Sequence, residues 1–202
     1  MPEITTSLPL LALTALAGYL LGSLPFGLIW ARVFGLGDIR AIGSGNIGAT
    51  NVLRTGNKLA ALLTLIGDVG KGAFAVLLAR GLLADDAAQA AGLFAYLGHL
   101  FPLYIGFKGG KGVATWLGTI LAIAWPVGLA AAATWLVTAL VFRISSLAGL
   151  TAAALAPIWA LALGRADVFL LALLLGALIF ERHRANIIRL LRGDEPKIGT
   201  KG

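Results

Sequence analysis

The sequence has no cysteine among its 202 residues, which excludes thiolate catalysis, a thioester intermediate and disulfide bonds. That absence identifies no compartment. Charge is scarce as well: Asp, Glu, Lys and Arg make up 12% of the chain, against about 25% in a typical soluble domain. Histidine occurs only at His99 and His183, and neither has ligand partners at a useful metal-binding spacing. No metal and no cofactor are therefore expected. No Gly-x-Ser-x-Gly elbow supports a serine-hydrolase mechanism, and no internal repeat is obvious. What remains is apolar, with 59% hydrophobic residues and a mean hydropathy of +0.92. Such a chain is an integral membrane protein. Its 16 Lys/Arg against 9 Asp/Glu give a net charge of +7. The distribution of that charge points to the positive-inside rule rather than to nucleic acid.

Long uncharged runs set the expected fold: all-α, polytopic, seven transmembrane helices with short re-entrant or broken segments, forming one domain over residues 1–202 with a polar tail at 193–202. Met-Pro-Glu lacks the basic start of a secretory signal, so the run Thr5–Ala31 is expected to be a retained first helix. Leu59–Ala79 is a second span, interrupted by Gly67-Asp-Val-Gly-Lys-Gly72, and Ala87–Phe107 is a third. Val113–Phe142 is too long for one ordinary span, which needs about 20 residues. The residue before a proline tends to leave the helix, so Trp125-Pro126 divides it into helices at 113–125 and 127–142. A span at 147–163 follows, and then a last helix with Asp167 as N-cap, ending in a basic amphipathic stretch at Glu181–Arg192 and a frayed tail. With the N-terminus outside and the C-terminus cytoplasmic, thirteen Lys/Arg (32, 40, 54, 58, 108, 111, 143, 182, 184, 189, 192, 197 and 201) face the cytoplasm. Arg80 and Arg165 fall outside, and Lys71 lies within the membrane. Treating 113–142 as one helix reverses the later charges and is rejected.

This topology gathers the polar stretches at the cytoplasmic surface. Gly43-Ser-Gly-Asn-Ile-Gly-Ala-Thr-Asn-Val-Leu-Arg54 combines glycines at 43, 45 and 48 with Ser44, Asn46, Thr50 and Asn51. Its backbone N–H groups suit an anion nest ahead of a helix, and Arg54, one to two turns into that helix, adds a fork for phosphate. A plain connecting loop is the other reading. Lys108-Gly-Gly-Lys-Gly112 places Lys108 and Lys111 around the flexible backbone of Gly109, Gly110 and Gly112, a cradle for a second phosphate or a positive-inside anchor. It is not a nucleotide P-loop, since Ile105 and Gly112 occupy positions that require Gly and Ser/Thr. His183 and Asn186, spaced i, i+3, share a helix face, with Ser145 and Ser146 on a neighbouring loop. Asp68 and Lys71 form either an internal ion pair or support for the site. His99 orients the end of the third helix.

With these residues laid out, the chain resembles the bacterial membrane family of acyl-phosphate-dependent glycerol-3-phosphate acyltransferases. The resemblance rests on three ordered signatures: Gly22-Ser-Leu-Pro-Phe-Gly27 with Gly43–Arg54, then Gly98-His-Leu-Phe-Pro102 through Phe107–Thr115, then His183–Glu195. It implies transfer of an acyl group from acyl phosphate to the 1-hydroxyl of glycerol 3-phosphate, giving lysophosphatidate for phospholipid synthesis, on the cytoplasmic face of the bacterial inner membrane. The His-x4-Asp motif of other glycerophosphate acyltransferases is absent, as Tyr104 and Ile188 stand where its Asp belongs. Carried over by position, Ser44, Arg54, Lys111 and His183 form the catalytic set. With them, Gly43, Gly45, Asn46, Thr50, Asn51, Lys108, Gly109, Gly110, Gly112 and Asn186 bind the two substrates. His183 either takes the hydroxyl proton or only positions the acceptor, and positioning is preferred. The implied partners are these two small substrates and membrane lipid, not nucleic acid. The competing class is a transporter of an organic phosphate or other anion, with Asp68/Lys71 as its site.

Overall fold

The structure is a computed structural model that describes residues 2–199. Lys201 and Thr200 lie outside the described residues. Among the described residues every regular element is helical. The chain divides into two compact units, Glu3–Ile123 and the segment from Ala124 onward.

In the Glu3–Ile123 unit, the expected first helix is broken in two. Helix α1 (Leu8–Gly22) ends at Ser23, and α2 (Phe26–Val33) starts after Pro25. Proline has no N–H to donate, and it pushes Leu24 out of the helical region. Leu28 and Ile29 accordingly bond to the Pro25 carbonyl rather than continuing the ladder from α1. A one-turn helix α3 (Ala49–Leu53) precedes α4 (Lys58–Leu82). The Asn57 side chain accepts from the Ala60 amide at 2.9 Å and starts α4, a cap worth about 1 kcal/mol.

The expected interruption of this second span is absent: α4 runs unbroken through Gly67, Gly70 and Gly72. Two of these glycines serve close packing. A Cβ on Gly67 would meet the Phe26 ring, and one on Gly72 would lie 2.5 Å from the Thr115 carbonyl oxygen. Small residues bring α5 (Asp85–Leu100) equally close to α1, where Gly18 faces Ala91 and Gly22 faces Ala95. In a bilayer such close backbone approach stands in for hydrophobic association.

Helix α6 (Val113–Ile123) has 11 residues. Arg80, expected in an external loop, caps it. Its guanidinium donates to the Ala122 and Ile123 carbonyls at 2.6 and 3.1 Å while pairing with Asp85 at 2.7 Å. These are the carbonyls a helix C-terminus leaves unsatisfied.

The second unit begins at extended Ala124. Trp125 and Pro126 open α7 (Trp125–Phe142), so residues 113–142 do divide into two helices, but the break lies at Ala124 rather than at Trp125-Pro126, and Pro126 sits at a helix start where its missing N–H costs nothing. Helices α8 (Ser145–Ala162) and α9 (Ala166–Arg182) follow. Asp167 is not the N-cap of α9. Arg165 holds that position and Asp167 lies in the first turn, accepting from the Arg165 guanidinium at 2.9 and 2.7 Å. The basic end is a separate helix, α10 (Arg184–Arg192). Nor does the described tail fray, since the Ile198 amide donates to the Arg143 carbonyl at 2.6 Å.

Among the described residues, four stretches are long and apolar enough to cross a membrane: Leu8–Val33, Lys58–Leu82, Trp125–Phe142 and Ser145–Ala162. Large apolar side chains such as Leu62, Phe74, Leu140 and Val141 point outward from them, as lipid-facing helices require.

Candidate active site

Two polar loops meet within the Glu3–Ile123 unit. In the first, the Asp38 carboxylate accepts from Arg40 at 2.9, 3.2 and 2.8 Å, and these bonds hold its pKa down at about 2. Arg40 is thereby committed to Asp38. Beyond it the chain turns through Gly43 (φ 53°) and Gly45 (φ 66°), a left-handed conformation that favours glycine. A Cβ on Gly43 would lie 2.5 Å from Arg54 Nη1 and 2.6 Å from Asn51 Oδ1, so the absence of a side chain also makes room for Arg54.

Asn51 organises this loop from inside. It is 2% exposed. Its amide donates to the Ile39 carbonyl at 2.7 Å, and its oxygen accepts from the Ser44 amide at 3.1 Å and the Ser44 hydroxyl at 3.4 Å. Arg54 Nη1 lies 3.5 Å from the same oxygen. Ser44, Thr50 and Arg54 are exposed. Arg54 is the C-cap of five-residue α3, not a residue one to two turns into a longer helix. Its guanidinium is therefore aimed by Asn51 and Gly43 rather than by a helical register.

The second loop leaves α5 at Phe101. Tyr19 donates to the Phe101 carbonyl at 2.6 Å, and the Leu103 amide donates to Ser23 Oγ at 3.3 Å, which ties the loop to the end of α1. Lys108 is exposed and Lys111 half-buried. Buried Tyr96 donates its hydroxyl to the Lys111 carbonyl at 3.4 Å, and its ring fills the space beside Gly112. Gly110 is the point where the two loops touch: a Cβ there would lie 3.2 Å from Asn46 Oδ1 and would also meet His99 Nε2.

Beneath these loops lies a buried charged cluster. Lys71 pairs with Asp68 at 2.9 Å and donates to the Leu24 carbonyl at 2.8 Å, and Asp68 Oδ1 is 3.5 Å from His99 Nδ1. The lysine also lies over the Phe26 ring, 5.9 Å from its centroid. The pair is therefore held inside the fold.

In the second unit, His183 is 2% exposed at the junction of α9 and α10. It does not share one continuous helix with Asn186. Its Nδ1 contacts the Ile179 carbonyl at 2.8 Å. A carbonyl only accepts, so Nδ1 carries the proton and Nε2 is the basic nitrogen of the neutral ring. Asn186 donates to Glu195 Oε1, which also accepts from Ser146 Oγ at 2.6 Å, while Arg189 binds Oε2 at 2.7 Å. Burial opposes ionisation of Glu195, but the Ser146, Asn186 and Arg189 hydrogen bonds outweigh it and lower its pKa. The Asn186 oxygen is buried with no protein partner among the described residues.

Of the sequence-derived residues, the structure thus joins Gly43, Ser44, Asn51 and Arg54 with one another, and Asn46 with Gly110. It joins Asn186 with Ser146 through Glu195. Glu195 is not among the sequence-derived residues, although the acidic pair Asp194-Glu195, which interrupts the basic stretch after His183 and Asn186, is a usable signal. Asn51, which the resemblance places among the substrate-binding residues, turns its amide nitrogen to the Ile39 carbonyl.

Comparison with known proteins places this arrangement. The chain is 66% identical over 198 residues to the glycerol-3-phosphate acyltransferase of Jannaschia sp. (strain CCS1), covering 98% of each chain. It is 63% identical to that of Dinoroseobacter shibae, covering 100% of this chain and 99% of the relative. The crystal structure of PlsY (YgiH), an integral membrane glycerol 3-phosphate acyltransferase in its glycerol 3-phosphate form, superposes with a TM-score of 0.88 at 41% identity, covering 94% of this chain and 96% of that one. Its lysophosphatidic acid form gives a TM-score of 0.85 at 39% identity. The glycerol-3-phosphate acyltransferase family model matches residues 12–193, and the chain belongs to that family.

Proposed function

We propose that this protein transfers a fatty acyl group from acyl phosphate to the 1-hydroxyl of glycerol 3-phosphate, giving lysophosphatidate and inorganic phosphate as a step in phospholipid synthesis. The observation that carries this reading is the meeting of two glycine-rich loops at Asn46 and Gly110, one bearing Arg54 and the other Lys111. The family match supports the acceptor. So do the crystal forms of the related PlsY, named for glycerol 3-phosphate and for lysophosphatidic acid.

The chemistry needs little beyond such loops. Acyl phosphate is a mixed anhydride, already activated, so no covalent enzyme intermediate is required. The acceptor hydroxyl oxygen attacks the acyl carbon, the carbon–oxygen bond to phosphate breaks, and phosphate leaves with the electron pair. Holding two mutually repelling anions in attack geometry supplies much of the rate, and cations offset charge that develops on the leaving phosphate. Arg54, Lys108 and Lys111 provide those cations. Ser44, Thr50 and the loop amides around Gly43, Gly45, Gly109 and Gly112 add hydrogen bonds. His183 and Asn186 position the acceptor, and a phosphate oxygen takes the hydroxyl proton.

The match over residues 12–193 supports one acyltransferase domain. Seven crossings of the bacterial inner membrane, with the N-terminus outside and the active site cytoplasmic, follow from the distribution of Lys and Arg. Single cysteines at positions 85 and 200 of this cysteine-free chain should label from opposite sides, and labelling from the same side refutes the topology. The functional test is turnover of purified protein with labelled glycerol 3-phosphate. Acyl phosphate should support lysophosphatidate formation and acyl-CoA should not. Comparable rates with the two donors overturn the donor assignment.

A further inference from the structure

We propose that the outward face of α10 is a docking surface for anionic membrane lipid, with Ile188 and Leu191 entering the bilayer interface and Arg184 and Arg192 binding lipid headgroups.

Contacts at both ends hold the helix at the level where its neighbours leave the membrane. Only His183 separates α10 from α9, whose exposed Leu173, Leu174 and Phe180 form an apolar outer face. Further along, α10 returns to the turn between α7 and α8, two helices long and apolar enough to cross a membrane. Asn186 and Ser146, the latter in the first turn of α8, donate to the same Glu195 oxygen, while Arg189 binds the other at 2.7 Å. The Ile198 amide then donates to the Arg143 carbonyl at 2.6 Å. A helix that carried α9 straight on into water would lift Arg189 about 10 Å from the end of α9. One carboxylate instead bridges two turns of α10 to the first turn of α8, so α10 runs along the boundary. Its nine residues are too few to cross a bilayer, which takes about 20.

The two sides of α10 differ in a way that water alone does not explain. Asn186 is 4% exposed and faces the protein. At about 100° per residue, Arg184, Ile188 and Leu191 lie on the opposite side, with Arg192 beside them. Ile188 is 49% exposed and Leu191 85%. The helix carries three arginines and no acid, and of these Arg189 is committed to Glu195. Arg184 pairs with Glu181 at 2.6 Å, but both side chains are more than half exposed. Such a pair is weak and yields to a phosphate, which a guanidinium can bind bidentately. Aliphatic side chains between arginines are what a helix lying in the headgroup plane presents, and anionic headgroups supply the complementary charge. Lipid thus seats the outer face while Glu195 holds the inner one, and the helix that carries Asn186 is fixed from both sides.

The test uses the full-length protein in vesicles of equimolar phosphatidylcholine and phosphatidylglycerol. In this cysteine-free chain, Ile188→Cys, Leu191→Cys and Asp194→Cys each carry a nitroxide, and collisions with oxygen or with a water-soluble nickel chelate report depth. The labels at 188 and 191 should collide preferentially with oxygen, which concentrates in lipid, and the label at 194 with nickel. Nickel-accessible labels at 188 and 191 overturn the proposal, and are what a face reserved for a soluble protein partner would give. Headgroup choice is read from a fluorophore on Leu191→Cys, quenched by brominated phosphatidylglycerol or brominated phosphatidylcholine at equal mole fraction. Two surface arginines should enrich the anionic lipid roughly fivefold or more, and replacing both Arg184 and Arg192 by Gln should bring the ratio near one. Equal quenching by the two lipids, or a ratio that survives the double substitution, overturns the proposal. Where Leu191→Cys does not fold, Ile188→Cys carries both measurements by the same criteria.

Discussion

Replacing Asn51 by alanine distinguishes a residue that builds the site from one that binds substrate. The substitution removes the donor to the Ile39 carbonyl and the acceptor for the Ser44 amide. Ile39 is fully buried, so its carbonyl finds no water, whereas Ser44 is exposed and its amide is rehydrated. A buried group left unsatisfied costs about 1–3 kcal/mol and a lost but rehydrated bond about 1 kcal/mol. A central total of about 3 kcal/mol falls on the loop that aims Ser44 and Arg54. At about 1.4 kcal/mol per decade, the competent population falls by up to roughly a hundredfold. The assay is kcat/KM for lysophosphatidate formation in a double-mutant cycle with Arg54→Ala. If Asn51 works by aiming Arg54, the double variant should be little worse than the more damaging single variant. Fully additive losses, or an Asn51→Ala defect confined to KM for glycerol 3-phosphate, would refute this reasoning and return Asn51 to the substrate contacts.

Two further predictions concern the second unit. For His183, positioning predicts that at least one of His183→Asn and His183→Gln retains measurable turnover with a raised KM. Complete inactivity of folded variants that still bind glycerol 3-phosphate by calorimetry would instead make His183 the obligatory base. For Glu195, the folded-state pKa lies below its ordinary value, so its contribution to stability is complete above that ordinary value and is lost as pH falls through the lower, folded one. The melting temperature of the unaltered protein should therefore drop on acidification into that window, and Glu195→Gln should flatten the drop. An unchanged acid profile in Glu195→Gln would count against the Ser146–Asn186–Arg189 cluster as a stabilising device.

Much of the architecture is local and was legible in the residues themselves. Scarce charge and long apolar runs dictate helices in a membrane, because a backbone surrounded by lipid must satisfy its own hydrogen bonds. The proline rule divided residues 113–142 into two helices, although the break falls at Ala124, and Trp125 and Pro126 open α7. Applied to Leu24-Pro25, the same rule locates the α1–α2 break that run length alone conceals. The three signatures were enough to indicate the family. Tertiary structure decided what each polar residue faces. Gly67 and Gly72 look like helix breakers in sequence, yet they mark where Phe26 and the Thr115 backbone approach an intact helix. Asn51 has the same side chain whether it meets a ligand or the Ile39 carbonyl, and only the folded loop distinguishes the two. Asp68 and His99 are 31 positions apart, and Ser146 and Glu195 are 49. No local periodicity encodes such pairings. They arise when helix packing closes long stretches of chain and brings each polar group to the partner that makes its burial tolerable.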